Sequence, residues 1–173
     1  MRKFIAGFLV LLLVVVIGGA GVLTYNFANA STVTLIVYMS SDESPALVKW
    51  GAEKALYGLH PTEEEVQQLN AEAGARYAAL YPDEAQARKM LEHFLEKGVD
   101  VNAVDTATGS GVSALHSAVL ERNPFAVELL LEHGANVSIE GEQGRTALDF
   151  ARLLQGKESG PEIAKIIVTL ENT

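Results

Sequence analysis

The chain has 173 residues, of which 49% are hydrophobic and 20% are charged, so it can form one domain with a single core but not two large ones. Its formal net charge is −9 and it has no cysteine, which excludes a disulfide framework and a lipoprotein anchored through a cysteine thiol. The acidic balance also argues against binding to nucleic acid or to anionic lipid.

An uncharged apolar run, residues 4–23, follows Arg2 and Lys3 at the amino terminus. As a helix this run would be about 30 Å long, which is enough to cross a bilayer. The two basic residues predict that the amino terminus stays in the cytoplasm and that the rest of the chain lies outside it, in the periplasm if the source is bacterial. Residues 1–30 are therefore predicted to be a membrane anchor, or a signal peptide cleaved after Ala30, which ends a small-x-small sequence.

The segment that follows, residues 31–44, is predicted to be a linker or a short strand, because residues 32–39 are rich in β-branched side chains. A first helix is predicted over residues 45–58, where apolar residues recur at helical spacing after Pro45. Trp50 lies one residue outside the apolar face of this helix. We expect it to pack at the edge of the core, with a place in an interface as the alternative.

Two more helices are predicted next. Thr62 and Glu65 form a capping-box signature, so a second helix should run from there to about Leu80. A third helix follows a turn at Pro82 and stops at Gly98, because glycine readily adopts the left-handed conformation that ends helices. Together they form a first helix pair.

An internal repeat becomes visible when the chain is compared with itself. The sequence GVSALHSA, which begins at Gly111, aligns with GRTALDFA, which begins 33 positions later at Gly144. Upstream of the first of these, FLEKGVDVNA at residues 94–103 aligns with LLEHGANVSI at residues 130–139, at an offset of 36. A fixed period of this length is typical of repeat proteins, in which each supersecondary unit needs its neighbours to cover its apolar face.

These sequences resemble the ankyrin repeat, which has a period of ~33 residues, opens with T-P-L-H-x-A and closes with a leucine-rich helix followed by glycine. SALHSA and TALDFA match the opening, and LLLEHGANV, which begins at Leu129, matches the close. The resemblance covers residues 85–171 approximately. The chain departs from the pattern at Ala114 and Ala147, where the family has proline, in the longer last loop QGKESGP, and in the first helix pair, which lacks the opening motif.

The resemblance implies an all-α fold, an ankyrin-type solenoid of about three helix pairs preceded by the transmembrane or signal segment. The repeat domain is predicted at residues 45–172, with the helix at residues 45–58 as an N-terminal cap. Within it, the divergent first pair is predicted at residues 62–98, and the clear repeats at residues 105–137 and 138–171.

One side-chain constellation could suggest catalysis. Ser113 and His116 lie three positions apart, and Asp149 occupies the position of His116 in the next repeat, so a Ser-His-Asp triad is conceivable. No nucleophile elbow or glycine-built oxyanion loop accompanies it, and the resemblance instead implies that the serine and the histidine hold the turn by hydrogen bonds. The four histidines lack the spacing of metal ligands. We expect no enzyme activity, no metal and no cofactor.

The resemblance also implies a protein-binding surface made from hairpin tips and the exposed sides of the first helices. Carried over by motif position, this surface consists of Ser110, Val112, Leu120, Glu121, Glu142, Gln143, Arg145 and Leu153. For Leu120 and Leu153, ordinary packing between repeats is an equal alternative. An apolar centre with an acidic rim would suit a partner protein that carries basic groups.

A small acidic binder of this kind, placed outside the inner membrane, is similar in type to the immunity proteins that bacteria keep in the periplasm against secreted toxins, including ankyrin-type partners of phospholipase effectors. The similarity implies a periplasmic or inner-membrane-anchored inhibitor that neutralises a toxic effector by surface binding. The alternative hypothesis is a membrane-tethered envelope scaffold that positions or stabilises another protein. A serine hydrolase that uses Ser113 is a third.

Overall fold

The structure is a computed structural model that describes residues 21, 24–141, 144–157 and 160–173. The chain divides into two compact units, Met1–His60 and Pro61–Thr173. Regular structure in the described part is helical, apart from two isolated β-bridges, so the predicted all-α class is confirmed there. The division falls at His60, whereas the repeat domain was predicted to begin at residue 45.

The described part of the first unit includes two helices that pack on each other, α1 (Thr32–Ser40) and α2 (Ala46–Leu59). The prediction of a strand or linker over residues 32–39 is wrong, because this segment forms α1. Ser31 begins the helix by accepting a hydrogen bond from the Thr34 backbone N–H at 3.2 Å. Its apolar residues also recur at helical spacing, and burying that face outweighs the small helix penalty of β-branched residues, a few tenths of a kcal/mol each.

The predicted membrane span, residues 4–23, lies outside the described residues apart from Gly21. Among the residues that the structure does describe, no helix combines the length and the hydropathy needed to cross a bilayer. The choice between an anchor and a cleaved signal peptide stays a prediction.

The second unit is a stack of helix pairs. Its helices are α3 (Glu63–Ala71), α4 (Ala75–Ala79), α5 (Glu84–Glu96), α6 (Ala114–Leu120), α7 (Pro124–Glu132), α8 (Ala147–Lys157) and α9 (Pro161–Glu171). The pairs are α4 with α5, α6 with α7, and α8 with α9. The first helices of the pairs, α4, α6 and α8, pack side by side in one row, and α7 packs on α9 in the other.

Local signals in the sequence set several helix ends. The predicted capping box is confirmed: the Thr62 side chain accepts from the Glu65 N–H, and the Glu65 carboxylate accepts from the Thr62 N–H at 2.8 Å. Asn123 caps α7 in the same way through the N–H of Ala126. Gly98 and Gly134 follow α5 and α7 with φ values of 98° and 84°, a conformation that favours glycine.

The predicted second helix, from Thr62 to about Leu80, is in fact two helices. The chain breaks at Ala73, which is buried and has a left-handed φ of 53°. The N–H of Gly74 then donates to the Leu69 carbonyl at 2.7 Å, and a Cβ on Gly74 would lie 2.5 Å from Leu69 Cβ. This close approach lets the chain reverse, so α3 lies ahead of the first helix pair and is not part of it.

The separated helix α3 closes one edge of the stack. Asn70 donates from Nδ2 to the carbonyl of Gly98 at 3.3 Å and accepts at Oδ1 from the N–H of Asp100 at 2.8 Å. One repeat later, Asn102 makes the same pair of bonds to the turn at Gly134, at 3.2 and 2.7 Å. In the second unit α3 therefore supplies an N-terminal cap. The capping role predicted for residues 45–58 stays a prediction.

The chain reversal after α3 allows a prediction of unequal effects at two adjacent positions. Gly74→Ala is expected to lower the free energy of unfolding by about 2 kcal/mol, because the added Cβ collides with Leu69. Ala73→Gly is expected to change it by no more than about 0.5 kcal/mol, because the relief of the left-handed strain is offset by the added chain entropy and by the loss of a buried methyl group. Urea unfolding of residues 24–173 measures both, and a loss for Ala73→Gly as large as that for Gly74→Ala would contradict this account.

Candidate functional site

Ser113 and His116 form a buried hydrogen-bonded pair at the start of α6. The Ser113 N–H donates to His116 Nδ1 at 3.2 Å, and Ser113 Oγ lies 2.9 Å from the same nitrogen. Because a backbone N–H can only donate, Nδ1 is the acceptor, so Nε2 carries the proton. Nε2 lies 3.0 Å from the carbonyl oxygen of Arg145. His116 therefore links the start of α6 to the hairpin of the following repeat.

The conceivable triad of Ser113, His116 and Asp149 is not formed. The Asp149 carboxylate instead accepts from the backbone N–H and the hydroxyl of Thr146, at 3.0 and 2.8 Å. These bonds hold the pKa of Asp149 below its ordinary value. Since Nε2 of His116 is bound to a peptide carbonyl, no carboxylate orients the ring as a general base. The pair caps α6, as the ankyrin resemblance implied.

The first helix pair, α4 with α5, contacts the next repeat through residues other than a serine and a histidine. Arg76 on α4 lies 4.0 Å from the carboxylate of Asp105, in the hairpin before α6. This carboxylate also accepts from the N–H and the hydroxyl of Thr108, at 2.9 and 2.8 Å, and these bonds, more than Arg76, lower the pKa of Asp105. Arg76 and His116 thus both contact the hairpin of the following repeat, Arg76 through a carboxylate and His116 through a peptide carbonyl. Asp149 occupies the position of His116 in the next repeat and keeps the capping bond to Thr146. It cannot make an inter-repeat bond like that of His116, because a carboxylate has no N–H to donate to a carbonyl.

Leu120 and Leu153 are equivalent residues on neighbouring first helices. They lie 33 positions apart on α6 and α8, and their side chains are 44% and 42% exposed. Because stacked repeats keep their orientation, both leucines face the same side of the row of first helices. Glu121, which follows Leu120, is also exposed. The structure therefore brings these three predicted residues to the surface.

The predicted hairpin residues before α6 are less accessible. Ser110 and Val112 are half-buried, and the Val112 carbonyl accepts from the Asp105 N–H at 2.9 Å, which closes the hairpin. The exposed tip consists instead of residues 106–109. The prediction missed this tip because motif alignment places the variable residues directly beside the opening motif. The extra residues in TATGS, which lengthen this hairpin, were the signal in the sequence from which the tip could have been located.

In the next hairpin, before α8, Arg145 is half-buried. Its carbonyl accepts hydrogen bonds from His116 and, at 2.8 Å, from the N–H of Gly141, so its backbone has a structural role. Glu142 and Gln143 lie outside the described residues. The assignment of these three residues to a binding surface stays a prediction.

The second unit carries a strong acidic excess. Residues 61–173 contain 19 acidic and nine basic residues. Besides Arg76 with Asp105, basic side chains pair with acidic ones at 2.6, 3.0 and 2.8 Å, namely Arg88 with Glu132, Lys165 with Glu128, and Arg152 with Glu171. The pairs of Arg88 and of Lys165 join second helices of successive repeats. Such exposed pairs stabilise little, and they leave most of the acidic charge to act on a partner.

Burial gives His116 a predictable effect on pH-dependent stability. Desolvation lowers its pKa below the ordinary value of 6.5, against a smaller opposing effect of the Arg145 carbonyl. The unfolded chain then binds a proton that the native state does not, so stability is full above the unfolded pKa and falls as the pH drops from 6.5 towards the native pKa. Unfolding free energies at several pH values should show a steeper decline for the wild type than for His116→Gln. Equal slopes would contradict the prediction.

Comparison with known proteins adds a family match and local similarities. A family model described as ankyrin repeats (3 copies) matches residues 77–172. The E3 ubiquitin-protein ligase hecd-1 of Caenorhabditis elegans is 42% identical over 64 residues, which is 37% of this chain and 2% of that protein. Protein phosphatase 1 regulatory subunit 27 of Mus musculus is 37% identical over 68 residues, 39% of this chain and 42% of that protein. The matched part thus spans less than half of either relative.

Proposed function

The chain belongs to the ankyrin-repeat family, whose repeats are protein-interaction modules, and on that premise we propose that it neutralises a toxic effector enzyme by binding it outside the cytoplasm. The proposed effector is a secreted toxin such as a phospholipase. Binding would cover the surface of the effector without chemical change, since ankyrin repeats are typically non-catalytic. In this role the protein is an immunity protein, or inhibitor.

The observation that supports the proposal is the pair of leucines on the row of first helices. Leu120 and Leu153 leave more than two-fifths of their side chains in water, although each sits on a helix whose other face is buried. Apolar side chains at the centre of a contact, surrounded by acidic residues such as Glu121, match the composition of a protein interface. The acidic excess of the second unit favours a partner with a basic surface, and it would speed their encounter.

The proposed location rests on the sequence of the amino terminus. The uncharged run at residues 4–23, with Arg2 and Lys3 ahead of it, is the pattern that sends a following domain across a membrane. An inhibitor placed there would meet a toxin delivered from outside before it reached its substrate. A phospholipase effector would fit this location, because its membrane substrate is within reach there.

A membrane-tethered envelope scaffold is the second candidate, and the same apolar run favours it. The two functions differ in what they need from the tether. An inhibitor should protect as a soluble fragment of residues 24–173, which keeps both helices of the first unit and Phe27, the ring of which packs against Tyr38. A scaffold should lose its activity once it is released from the membrane, because its partner would no longer be held in place.

Deletion of the gene followed by competition with wild-type siblings tests the proposed function. The deletion strain should be killed by toxin-producing siblings and rescued by the wild-type protein, and the effector should co-purify with the rescuing protein in a direct complex. Full resistance of the deletion strain, or the absence of a toxin in the purified complex, would remove the immunity hypothesis.

A further inference from the structure

The first unit has an exposed apolar face that the repeats do not explain. On α2, Leu47 and Trp50 are 61% and 58% exposed, so the prediction that Trp50 packs in the core is wrong. The two residues lie three positions apart, and Lys54 follows one turn after Trp50, so all three lie on one side of the helix. We name these three residues the tryptophan face. The opposite side of α2 packs against α1.

The chain that emerges from the apolar run is held next to this face. The run ends at Leu23, and residues 24–28 are helical. The ring of Phe27 lies so close to Gly51 that a Cβ on that glycine would overlap with it, and it makes an edge-to-face contact with Tyr38 at 6.4 Å between centroids. Gly51 directly follows Trp50 on α2. The tryptophan face therefore lies beside the point where the chain leaves the apolar run.

The two units differ in net charge. Residues 24–60, which would lie on the same side of the membrane as the repeats, contain two basic and three acidic residues, whereas residues 61–173 contain nine basic and 19 acidic residues. An acidic unit is repelled by anionic lipid headgroups, but the nearly neutral first unit is not. The first unit is therefore better suited than the second to contact with a bilayer that contains anionic lipid.

We propose that the tryptophan face docks on the headgroup region of the bilayer beside residues 4–23. The inference rests on the proposed membrane location and requires that these residues are retained as an anchor. Tryptophan is enriched at membrane interfaces because its ring is apolar while its N–H is polar. Leu47 adds apolar area, and Lys54 can keep its ammonium group in water while its methylene groups lie on the surface.

The face would sink only a short distance into the membrane. Amphipathic helices of this kind bury their apolar side ~5–10 Å into the boundary between headgroups and acyl chains. Two contacts then hold the first unit, the anchor through residues 4–23 and the tryptophan face beside it. The first unit would thus be fixed at the membrane surface and not merely tethered to it.

Trp50 provides its own probe, because it is the one tryptophan in the sequence. The full-length protein is reconstituted in vesicles of phosphatidylcholine and phosphatidylethanolamine, with bromine atoms placed near the top or at the end of the acyl chains. We expect Trp50 emission to shift to shorter wavelength relative to the urea-unfolded protein. Bromines near the top should quench it roughly two-fold more strongly than those at the end, as the shallow depth requires.

A charged substitution separates docking from mere proximity. Leu47→Glu is tolerated by the fold because Leu47 is exposed, but the carboxylate would be expelled from the interface, so about half or more of the quenching should be lost. Val168→Glu is the matched control, since Val168 on α9 is 58% exposed and lies in the acidic second unit. It should leave the quenching unchanged.

Three outcomes would overturn the inference. Protein that does not float with the vesicles shows that residues 4–23 do not anchor it. Protein that floats while Trp50 stays accessible to aqueous acrylamide and unquenched by bromolipid shows an anchor without docking, and in that case the immunity proposal is unaffected. Emission that depends on the protein-to-lipid ratio, with no bromolipid quenching, shows that a second copy of the chain covers the face instead.

Discussion

Replacing His116 with alanine is expected to lower the free energy of unfolding of the repeat unit by about 3 kcal/mol. The substitution removes three interactions at once. Ser113 loses the acceptor that completes its cap, the Arg145 carbonyl loses a donor, and the buried ring leaves a cavity. Urea unfolding of residues 24–173 provides the measurement, with helicity followed by circular dichroism.

Two variants, His116→Asn and His116→Gln, separate the contributions of the two ring nitrogens of His116 to the free energy of unfolding. Asparagine can accept at the Nδ1 position but does not reach Arg145, whereas glutamine can place an N–H near the Nε2 position but leaves the Ser113 N–H without its acceptor. We expect both variants to be more stable than His116→Ala and less stable than the wild type. Asp149→Ala is the matched control, because it removes the bonds from Thr146 to the carboxylate at the start of α8 without removing an inter-repeat bond, and it should have the smaller effect. An equal loss for the two alanine variants would show that neither the bond to Arg145 nor the burial of the ring adds to the contribution of the cap.

Substituting both Leu120 and Leu153 with lysine is expected to weaken binding of the partner protein by about 100-fold or more, which corresponds to roughly 2.7 kcal/mol. Each substitution removes an apolar contact and also places a positive charge opposite a partner that we expect to be basic. Because both side chains are exposed, the free energy of unfolding should change by no more than about 0.5 kcal/mol. Titration calorimetry with the purified partner measures the affinity.

Two comparisons make this second test specific. The corresponding double glutamate variant should lose less affinity than the lysine variant, because the added carboxylates can pair with basic groups of the partner. Val168→Lys changes a more exposed apolar residue on α9, a second helix, and should leave binding intact. If Val168→Lys weakens binding while the double lysine variant does not, the partner binds the second helices and our assignment of the surface is wrong.

The sequence by itself determined the features that depend on local bonds and on periodicity. The 33-residue offset between Gly111 and Gly144 identified the repeats, which the family match at residues 77–172 confirms. The Thr62 capping box and the left-handed Gly98 were also correct. The capping box and the helix stop each depend on residues within about one helical turn, and the repeat period is a property of the sequence itself. No tertiary contact was therefore needed to predict them.

Part of the candidate site was also predictable, because motif position carries information about exposure. Leu120, Glu121 and Leu153 were placed on the surface from their positions in the repeat, and the structure exposes all three. The same reasoning misplaced the hairpin tip, because the number of residues in a loop does not say which of them its hydrogen bonds bury. The tip at residues 106–109 could be located only from the bonds that close the hairpin.

The tertiary structure decided the features in which a long-range contact outweighs a local preference. Residues 32–39 have strand-like composition but form a helix, because α2 covers their apolar face. The break at Ala73 needs the close approach of Gly74 to Leu69, which no periodicity reveals. The exposure of Trp50 depends on which side of α2 faces α1. Propensities in each case amount to a few tenths of a kcal/mol per residue, whereas burial of one apolar side chain contributes about 1.5 to 3, so packing decides.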